Sequence, residues 1–518
     1  MSDNNNQLEP KQEPAKDLVG EYNDRLNKLK ELREAGIIPY MDKFDRTHTA
    51  TEAVAFGEKK VREVEEIIKK PDPGVKLCGR LMAFRSHGRL AFGKILDVSG
   101  RVQICLMRDT LGEEKYKFFE KKVDVGDFIG VEGELFRTRH GEITLLVTSY
   151  TLLSKALRPL PEKWHGLQDQ EARYRQRYLD LVMNPDTKKM FELRSDFIRY
   201  LREFYWNNGF YEIECPVMAS SASGALAQPF KTHHNALDKD FFLRIAIETY
   251  QKVAIAGGFE KVFEIGKVFR NEGMDPSHLQ EFTMNEFYCA YWNYNDLMRF
   301  TEDMFEFLLK KTLGTLEIEI KDRDGNIQKV NFKKPWKVVS MRDCILEDSG
   351  IDINKCKTEK ELLKATKEKK IVIEDAEKLS RGNLIDHLYK KVSRPKMVGP
   401  VFLTQHPTDL SPLARRNNEN PDIVDRFQLV VNGWEIVNAY SELIDPVEQA
   451  KAFNQQSEAQ AHGDLDAHGK DDEFVLAMEH GFPPIAGWGM GIDRIVALLA
   501  KQDNLKDVVL FPLLKPEN

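Results

Sequence analysis

Cysteine is scarce in this chain and scattered through it. The six cysteines, at 78, 105, 215, 289, 344 and 356, form no CxxC pair and no Cys/His spacing. That argues against a disulfide framework and against structural zinc, and it fits a cytoplasmic location. No apolar run reaches the length of a membrane-spanning helix, so no membrane partner is expected. The start, MSDNNNQLEPKQEPAKD, lacks the apolar core of a signal peptide, and residues 1–17 read as a disordered tail. An excess of positive charge is missing too: the formal net charge is −7, which excludes bulk nucleic-acid binding as the purpose of the whole surface. What remains is 42% apolar and 31% charged residues, the composition of a globular protein, on a chain of 518 residues that suggests about three domains.

From Leu18 to Ala35 the spacing is helical. Leu18, Tyr22, Leu26, Leu29 and Leu32 form a stripe, with Arg25, Lys28, Lys30 and Arg33 largely elsewhere. The stripe predicts an amphipathic helix packed on its neighbour; the charges are either solvated or an added basic surface for RNA. A second helical stretch, Ala50 to Lys70, runs to the breaker Pro71-Asp72-Pro73-Gly74, so 18–73 reads as a helical region. Residues 74–155 then hold five short strand patterns, VKLCGRLMAFR, LAFGKILDV, RVQICLM, FIGVEGELFRT and ITLLVTSYTLL, with the helical segment EEKYKFFEKK between the third and fourth. Five strands with one helix in that position suit an OB-fold barrel, which binds single-stranded nucleic acid by stacking bases on aromatics beside basic groups. The segment carries 14 Lys and Arg against 10 Asp and Glu, a local net of +4 in an acidic protein.

A Pro-containing connector and a charged helix follow over 156–183, with Arg173, Arg175 and Arg177 able to serve either as phosphate contacts or as a solvated face. Phe191 to Phe210 predicts a long amphipathic helix ending at Gly209, leading into a strand from Tyr211 to Met218. Residues 316–400 are less regular and mostly charged helix, and they read as an insertion within a domain spanning 184–518.

The stretch that organises the chain is VFEIGKVFRNEGMDPSHLQEFTMNEFYCAYW, Val262 to Trp292. It reads as two strands joined by a polar loop. Glu264, Gly266, Val268 and Arg270 share one face of the first strand, and Glu286 and Tyr288 share one face of the second. Arg270 can either hold two anions in a cleft or pair with Glu264 as a buried strand residue.

This stretch resembles motif 2 of the class II aminoacyl-tRNA synthetases. FRNEG, then His278, Glu281 and Phe282, then Glu286-Phe287-Tyr288, resembles the lysyl-tRNA synthetases in particular. The helix and strand around 191–218 resemble motif 1, which forms the dimer interface in that class, so the resemblance implies a homodimer. GFPPIAGWGMGIDRIVALLA, with Gly487, Gly489, Gly491 and the Asp493-Arg494 pair, resembles motif 3. The implied fold class is α+β: an N-terminal OB-fold β-barrel, then a class II catalytic domain with a mainly antiparallel sheet flanked by helices.

The resemblance assigns roles residue by residue. Arg270 binds the substrate carboxylate and the ATP α-phosphate, and Arg494 meets the phosphate tail or the adenine face; both count as catalytic. Phe282 stacks on adenine, Glu272 lies near its amino group and His278 near the phosphates. Glu248, Tyr288 and Glu442 hold the ε-ammonium of lysine, Gly224 and Glu286 its α-amino end, and Asn438 and Tyr440 complete the wall. A cationic substrate needs such carboxylates, and buried polar groups left unpaired by a wrong substrate give discrimination. In the barrel, Arg85, Phe92 and Gln103 match the residues that read the central U of the anticodon. The expected reaction joins L-lysine to tRNA-Lys through lysyl-adenylate, with ATP as substrate.

The metal site departs from the family. Asn432-Gly433 is a two-residue hairpin turn that pairs Val430 with Glu435, so Gln428 and Glu435 share a face. Many relatives carry Glu at both positions and bind Mg²⁺ on ATP there. One carboxylate plus substrate phosphates can still hold Mg²⁺, so the cofactor is expected and the number of ions is open. Glu435 and Asn438 are an odd step apart, so facing one cleft requires a bulge between them. Two further departures are Gln228 where the family has a basic residue, and Ile247 before Glu248 where it has Pro. The open alternatives are an aspartyl or asparaginyl enzyme of the same fold, which would want a basic residue in the amino-acid pocket; a ligase that lysylates a translation factor, whose members lack the barrel; and a silent RNA-binding homologue.

Overall fold

A computed structural model of the chain describes residues 18–161, 167–221, 224–225, 227–322, 325–411, 414–461 and 471–517. The tail 1–17, connector positions 162–166, and Ser223 and Leu226 lie outside the described residues. The chain divides into two compact units, Met1–Gly166 and Leu167–Asn518.

In the first unit the five strand patterns become Val75–His87, Leu90–Leu96, Arg101–Met107, Phe128–Arg137 and Ile143–Ser154, closed into a barrel. Glu113–Lys122 is the helix between the third and fourth strands. Alternation explains closure: Leu81, Ala91, Ile95, Val102, Ile104 and Leu106 meet inside, where a period of two places them. Helix Leu18–Glu34 packs through Leu29 and Leu32. Its charges are not simply solvated, since Arg25 is buried and donates to the carbonyls of Val125 and Ala156 at 3.1 Å each. Lys28 pairs with Asp124 at 2.6 Å. The stretch 50–70 is two helices rather than one, Ala50–Lys59 and Val64–Lys69. Arg62 occupies the break, where it donates to Glu134 at 3.0 Å and to the carbonyl of Lys70 at 3.1 Å.

The second unit is built on an eight-stranded sheet in the order 337–340, 401–404, 426–431, 434–441, 485–491, 281–290, 261–269, 211–212. Only its two outermost pairs are parallel. Helices Pro185–Asn207 and Tyr294–Leu313 contribute Phe204, Tyr205, Phe300 and Phe305 to the core on one face. Phe287 stacks on Trp488 with ring centroids 5.0 Å apart, and the Trp488 indole donates to Thr301 Oγ1 at 2.9 Å. The opposite face is left for the site.

Three local expectations differ. The long helix begins at Pro185, six residues before Phe191, because proline is favoured in a first turn. The strand expected from Tyr211 to Met218 is two short pieces, Tyr211–Glu212 and Met218–Ala219. Between them the Cys215 N–H donates to Glu264 and its carbonyl accepts from Arg244, and Pro216 has no N–H to offer a ladder. Within 316–400, Lys337–Ser340 joins the edge of the main sheet, so that segment is not wholly outside it. Helices Glu359–Glu368 and Arg381–Val392 form a separate small core with Ile345 and Leu403. Arg173 and Arg177 both pair with Asp180, at 2.9 and 2.5 Å, and Arg175 pairs with Glu171 at 2.6 Å. Those three guanidinium groups are engaged within their own unit.

Candidate active site

The sheet register assembles the site. Asn438 pairs with Gly489 and Gly489 with Glu286, which forms one row across three strands. Tyr440, Gly487 and Tyr288 form the next row. A glycine in the middle of each row leaves room between the flanking side chains. A Cβ on residue 487 would collide with the Glu442 carboxylate and the Tyr288 ring. The pocket therefore requires glycine there, rather than merely accepting it.

The expected bulge is present. Val430 pairs with Glu435 but Leu429 pairs with Val437, which leaves Ile436 as the extra residue. Asn432 and Gly433 have φ of 53° and 67°, the left-handed pair of a tight hairpin turn. The bulge turns Glu435 into the same cavity as Asn438 and Tyr440.

That cavity has a volume of about 380 Å³. Its lining includes Gly224, Glu248, Arg270, Glu286, Tyr288, Asn438 and Tyr440, and also Glu272, His278, Phe282, Glu435 and Arg494. These residues come from positions 224 to 494 and converge on one cleft. Glu442 is the exception. It is buried but does not line the cavity.

Arg270 is not the partner of Glu264. Arg244 is, at 2.6 Å, and Arg244 also donates to the carbonyl of Lys267 at 2.7 Å. Arg270 donates to the Ile245 carbonyl at 3.2 Å and its guanidinium lies 5.1 Å from the Phe282 ring centroid. Arg270 also lines the cavity, where a planar guanidinium is suited to two anions at once. Arg494 donates to the Glu435 carbonyl at 3.4 Å, which holds it across the same space. Asp493 accepts from the Thr283 N–H at 2.8 Å and pairs with Arg194 at 2.7 Å, so it fixes the helix that carries Arg494.

The end of the cavity lined by Glu248 and Glu286 is acidic. The Tyr440 hydroxyl donates to Glu248 at 3.1 Å, and Tyr288 donates to Glu286 at 3.4 Å. Burial pushes Glu286 up to about 8, and the neighbouring Glu248 charge adds to the rise. Burial also raises Glu442, against the pull of Lys252. Lys252 is the residue that sequence reading missed. Its ammonium pairs with both Glu248 and Glu442, the latter at 2.5 Å. Its position four residues after Glu248, on one helix face, was the available signal. Arg426 was also missed; it donates to Asn438 Oδ1 at 2.8 Å and to Ser411 Oγ at 2.5 Å, bracing the wall.

Gln428 and Glu435 do share a face, and the Gln428 amide donates to Glu435 at 2.8 Å. Among the described residues no cluster of three or more His, Cys, Asp or Glu side chains is arranged to hold a metal. His278 is exposed, with Nδ1 2.7 Å from Asp275. The Gln228 carbonyl accepts from the Asn271 N–H at 2.7 Å, so residue 228 contributes backbone to the motif 2 loop.

In the barrel, Arg85 pairs with Phe92 across adjacent strands, and Phe92 pairs with Cys105, two residues from Gln103. Arg85 is exposed, while Phe92 and Gln103 are half-buried, Phe92 packing against the small apolar cluster of Cys105, Phe136 and Leu146. Gln103 donates to Thr144 Oγ1 at 3.0 Å, which leaves its amide oxygen available.

Comparison with known proteins shows the family. Residues 169–515 match the family of class II tRNA synthetases (D, K and N), and residues 75–153 match the OB-fold nucleic acid binding domain of the tRNA anticodon family. Similar proteins include the lysine–tRNA ligase of Carboxydothermus hydrogenoformans, 45% identical over 95% of this chain and 98% of that one. That of Aquifex aeolicus is 47% identical over 86% of this chain and 73% of its own. That of Thermosipho africanus is 42% identical over 95% of each. With a family match over the whole catalytic unit and relatives this similar along nearly the full length, the chain belongs to the class II tRNA synthetases, on their lysine–tRNA ligase branch.

Proposed function

We propose that this chain is an ATP-dependent lysine–tRNA ligase whose amino-acid pocket is the acidic end of the Arg270 cleft. The observation that carries the reading is the convergence of Glu248, Glu286, Tyr288 and Tyr440 on one cavity that Arg270 also lines. Aspartate would want a cation where these carboxylates stand, and asparagine a neutral donor and acceptor matched to its amide.

The chemistry runs in two steps. The lysine carboxylate attacks the α-phosphate of ATP, forming lysyl-adenylate and releasing pyrophosphate. A hydroxyl at the 3′ end of tRNA then attacks the mixed anhydride and releases AMP. Arg270 holds the attacking carboxylate and the α-phosphate together, which supplies both orientation and charge neutralisation. Phe282, backed by the Arg270 guanidinium, offers a face for adenine, with Glu272 and His278 at the loop above it. Arg494 takes charge from the leaving phosphates. Glu286 and Gly224 receive the α-ammonium, and Glu248 with Tyr288 the ε-ammonium. No side chain has to act as a base in the first step, because the nucleophile is already ionised.

Glu435 with the ATP phosphates forms a donor set that fits Mg²⁺, since that ion needs only one or two carboxylates beside phosphate oxygens and water. The Gln428 amide hydrogen bond to Glu435 fixes that carboxylate and favours fewer bound ions than a two-carboxylate site. When bound, Mg²⁺ would neutralise phosphate charge.

Arg85, Phe92 and Gln103 form the anticodon patch, with Phe92 as stacking platform and the other two as base-edge contacts. Two copies pair through the motif 1 region, where Trp206, Tyr211 and Met218 are exposed apolar groups. A cytoplasmic location follows from free cysteines and a tRNA substrate; among the described residues no helix is long and apolar enough to cross a membrane.

The direct test is charging. Purified chain, ATP, labelled lysine and tRNA should give acid-precipitable lysyl-tRNA with a U-centred lysine anticodon. Charging that requires aspartate or asparagine instead would overturn the pocket assignment.

A further inference from the structure

Behind the cavity wall lies a cation that no substrate contact explains. Lys252, on helix Glu248–Ala256, is buried and does not line the cavity. Its ammonium pairs with Glu248 on its own helix and with Glu442 at the end of strand Trp434–Ser441. It also lies 5.7 Å from the Tyr288 ring and 5.8 Å from the Phe474 ring, an aromatic lining for an ammonium group. Neither carboxylate oxygen of Glu442 receives a hydrogen bond of good geometry among the described residues, so the ion pair with Lys252 is what holds that carboxylate.

Resting on the lysine reading above, we propose that Lys252 is a positioning residue for amino-acid recognition. It locks Glu248 and Glu442 in place from behind and sets the charge of the pocket so that lysine, and not a neutral amino acid, completes it. The groups that face the Lys252 network are Glu248, Glu442, Glu286, Tyr288, Tyr440 and Arg270. Three of them are carboxylates and two, Lys252 and Arg270, are cations; near neutral pH the empty pocket offsets the one excess negative charge by keeping a proton on buried Glu286, which the binding of lysine releases. Lysine carries two ammonium groups and one carboxylate, so its binding closes the balance. An amino acid with an uncharged side chain brings no net charge and leaves a buried carboxylate uncompensated, which is costly. Without Lys252 the excess doubles, a second carboxylate besides Glu286 takes up a proton near neutral pH, and Glu248 loses the ion pair that holds it in place.

The test is Lys252→Met in amino-acid-dependent ATP–pyrophosphate exchange. The expected result is a KM for lysine raised about tenfold or more near neutral pH, with the KM for ATP nearly unchanged. The rising limb of kcat/KM for lysine should move about one unit to higher pH. Lys252→Arg, which keeps the charge, should hold the limb in place even if the larger head weakens binding. If Lys252→Met does not fold, Lys252→Gln, neutral but able to donate to both carboxylates, decides the same question. An unmoved pH limb in the folded neutral variant, or equal losses toward lysine and ATP, would overturn the proposal. Failure of the unaltered protein to exchange with lysine at all would instead refute the functional reading on which it rests.

Discussion

Arg244, not Arg270, is the ionic partner of Glu264, with Nη1 2.6 Å from the carboxylate. The two arginines lie at opposite ends of the same problem. Arg244 ties the strand end at 244 to Cys215 and Lys267, and Arg270 is left with guanidinium N–H groups unspent on the fold. Arg270→Lys should therefore leave the fold intact and reduce adenylation by about a hundredfold or more, since an ammonium cannot span two anions. Thermal melting beside pyrophosphate exchange checks this. A large loss of melting temperature would assign Arg270 to structure.

The pH dependence of lysine binding follows from Glu286. Burial, and then the Glu248 charge, raise it to about 8 in the folded chain from 4.5. The ionised form is the one that accepts an α-ammonium, so the KM for lysine should fall as pH rises toward 8. Stability has the opposite slope: the folded state holds a proton that the unfolded state has released between those two values, so this group's contribution declines as pH rises across that window. Glu286→Gln should flatten the KM profile and remove that part of the stability slope, which pH-resolved melting would reveal.

Gly487→Ala tests the close approach in the second row of the pocket. The added methyl would meet Tyr288 and Glu442, both held by packing. The expected outcome is a severalfold to hundredfold rise in the KM for lysine with a smaller effect on ATP, measured by exchange; overpacking of this kind also costs about 1–3 kcal/mol of stability.

Gln428→Glu restores a second carboxylate beside Glu435, now bridged by an amide hydrogen bond of 2.8 Å. Two facing carboxylates repel without a cation, so the variant should melt lower in chelator and recover with Mg²⁺. Half-maximal exchange should need a different Mg²⁺ concentration from the unaltered chain. An identical Mg²⁺ titration would place the ion elsewhere.

Phe92→Ala separates the two units functionally. Loss of one stacked base contact is worth about 1–3 kcal/mol, so the KM for tRNA should rise roughly five- to hundredfold. Exchange without tRNA should be untouched. A parallel drop in both would mean that the substitution damages the barrel rather than a contact.

Much of this was legible in the sequence, for reasons visible in particular residues. The strand patterns of the barrel were readable because period-two alternation is strong where one face is closed, as at Val102, Ile104 and Leu106. A bulge between Glu435 and Asn438 followed from parity once the resemblance put both in one cleft, and the register places it at Ile436. Long-range side-chain capture was harder to see. Nothing local says that Arg25 reaches Val125 and Ala156, that Arg62 splits a helix to reach Glu134, or that Cys215 spends its backbone on Glu264 and Arg244. Lys252 was hidden for the same reason: its helical partner Glu248 is four residues away, but Glu442 arrives from another strand.

The measurement that bears most directly on the central claim is ATP–pyrophosphate exchange without tRNA, run with each of the twenty amino acids in turn. Exchange supported by lysine, and by no other at comparable concentration, is the expected result. Exchange supported by aspartate or asparagine would contradict the acidic-pocket assignment. No exchange with any amino acid across a Mg²⁺ titration would contradict the enzyme itself.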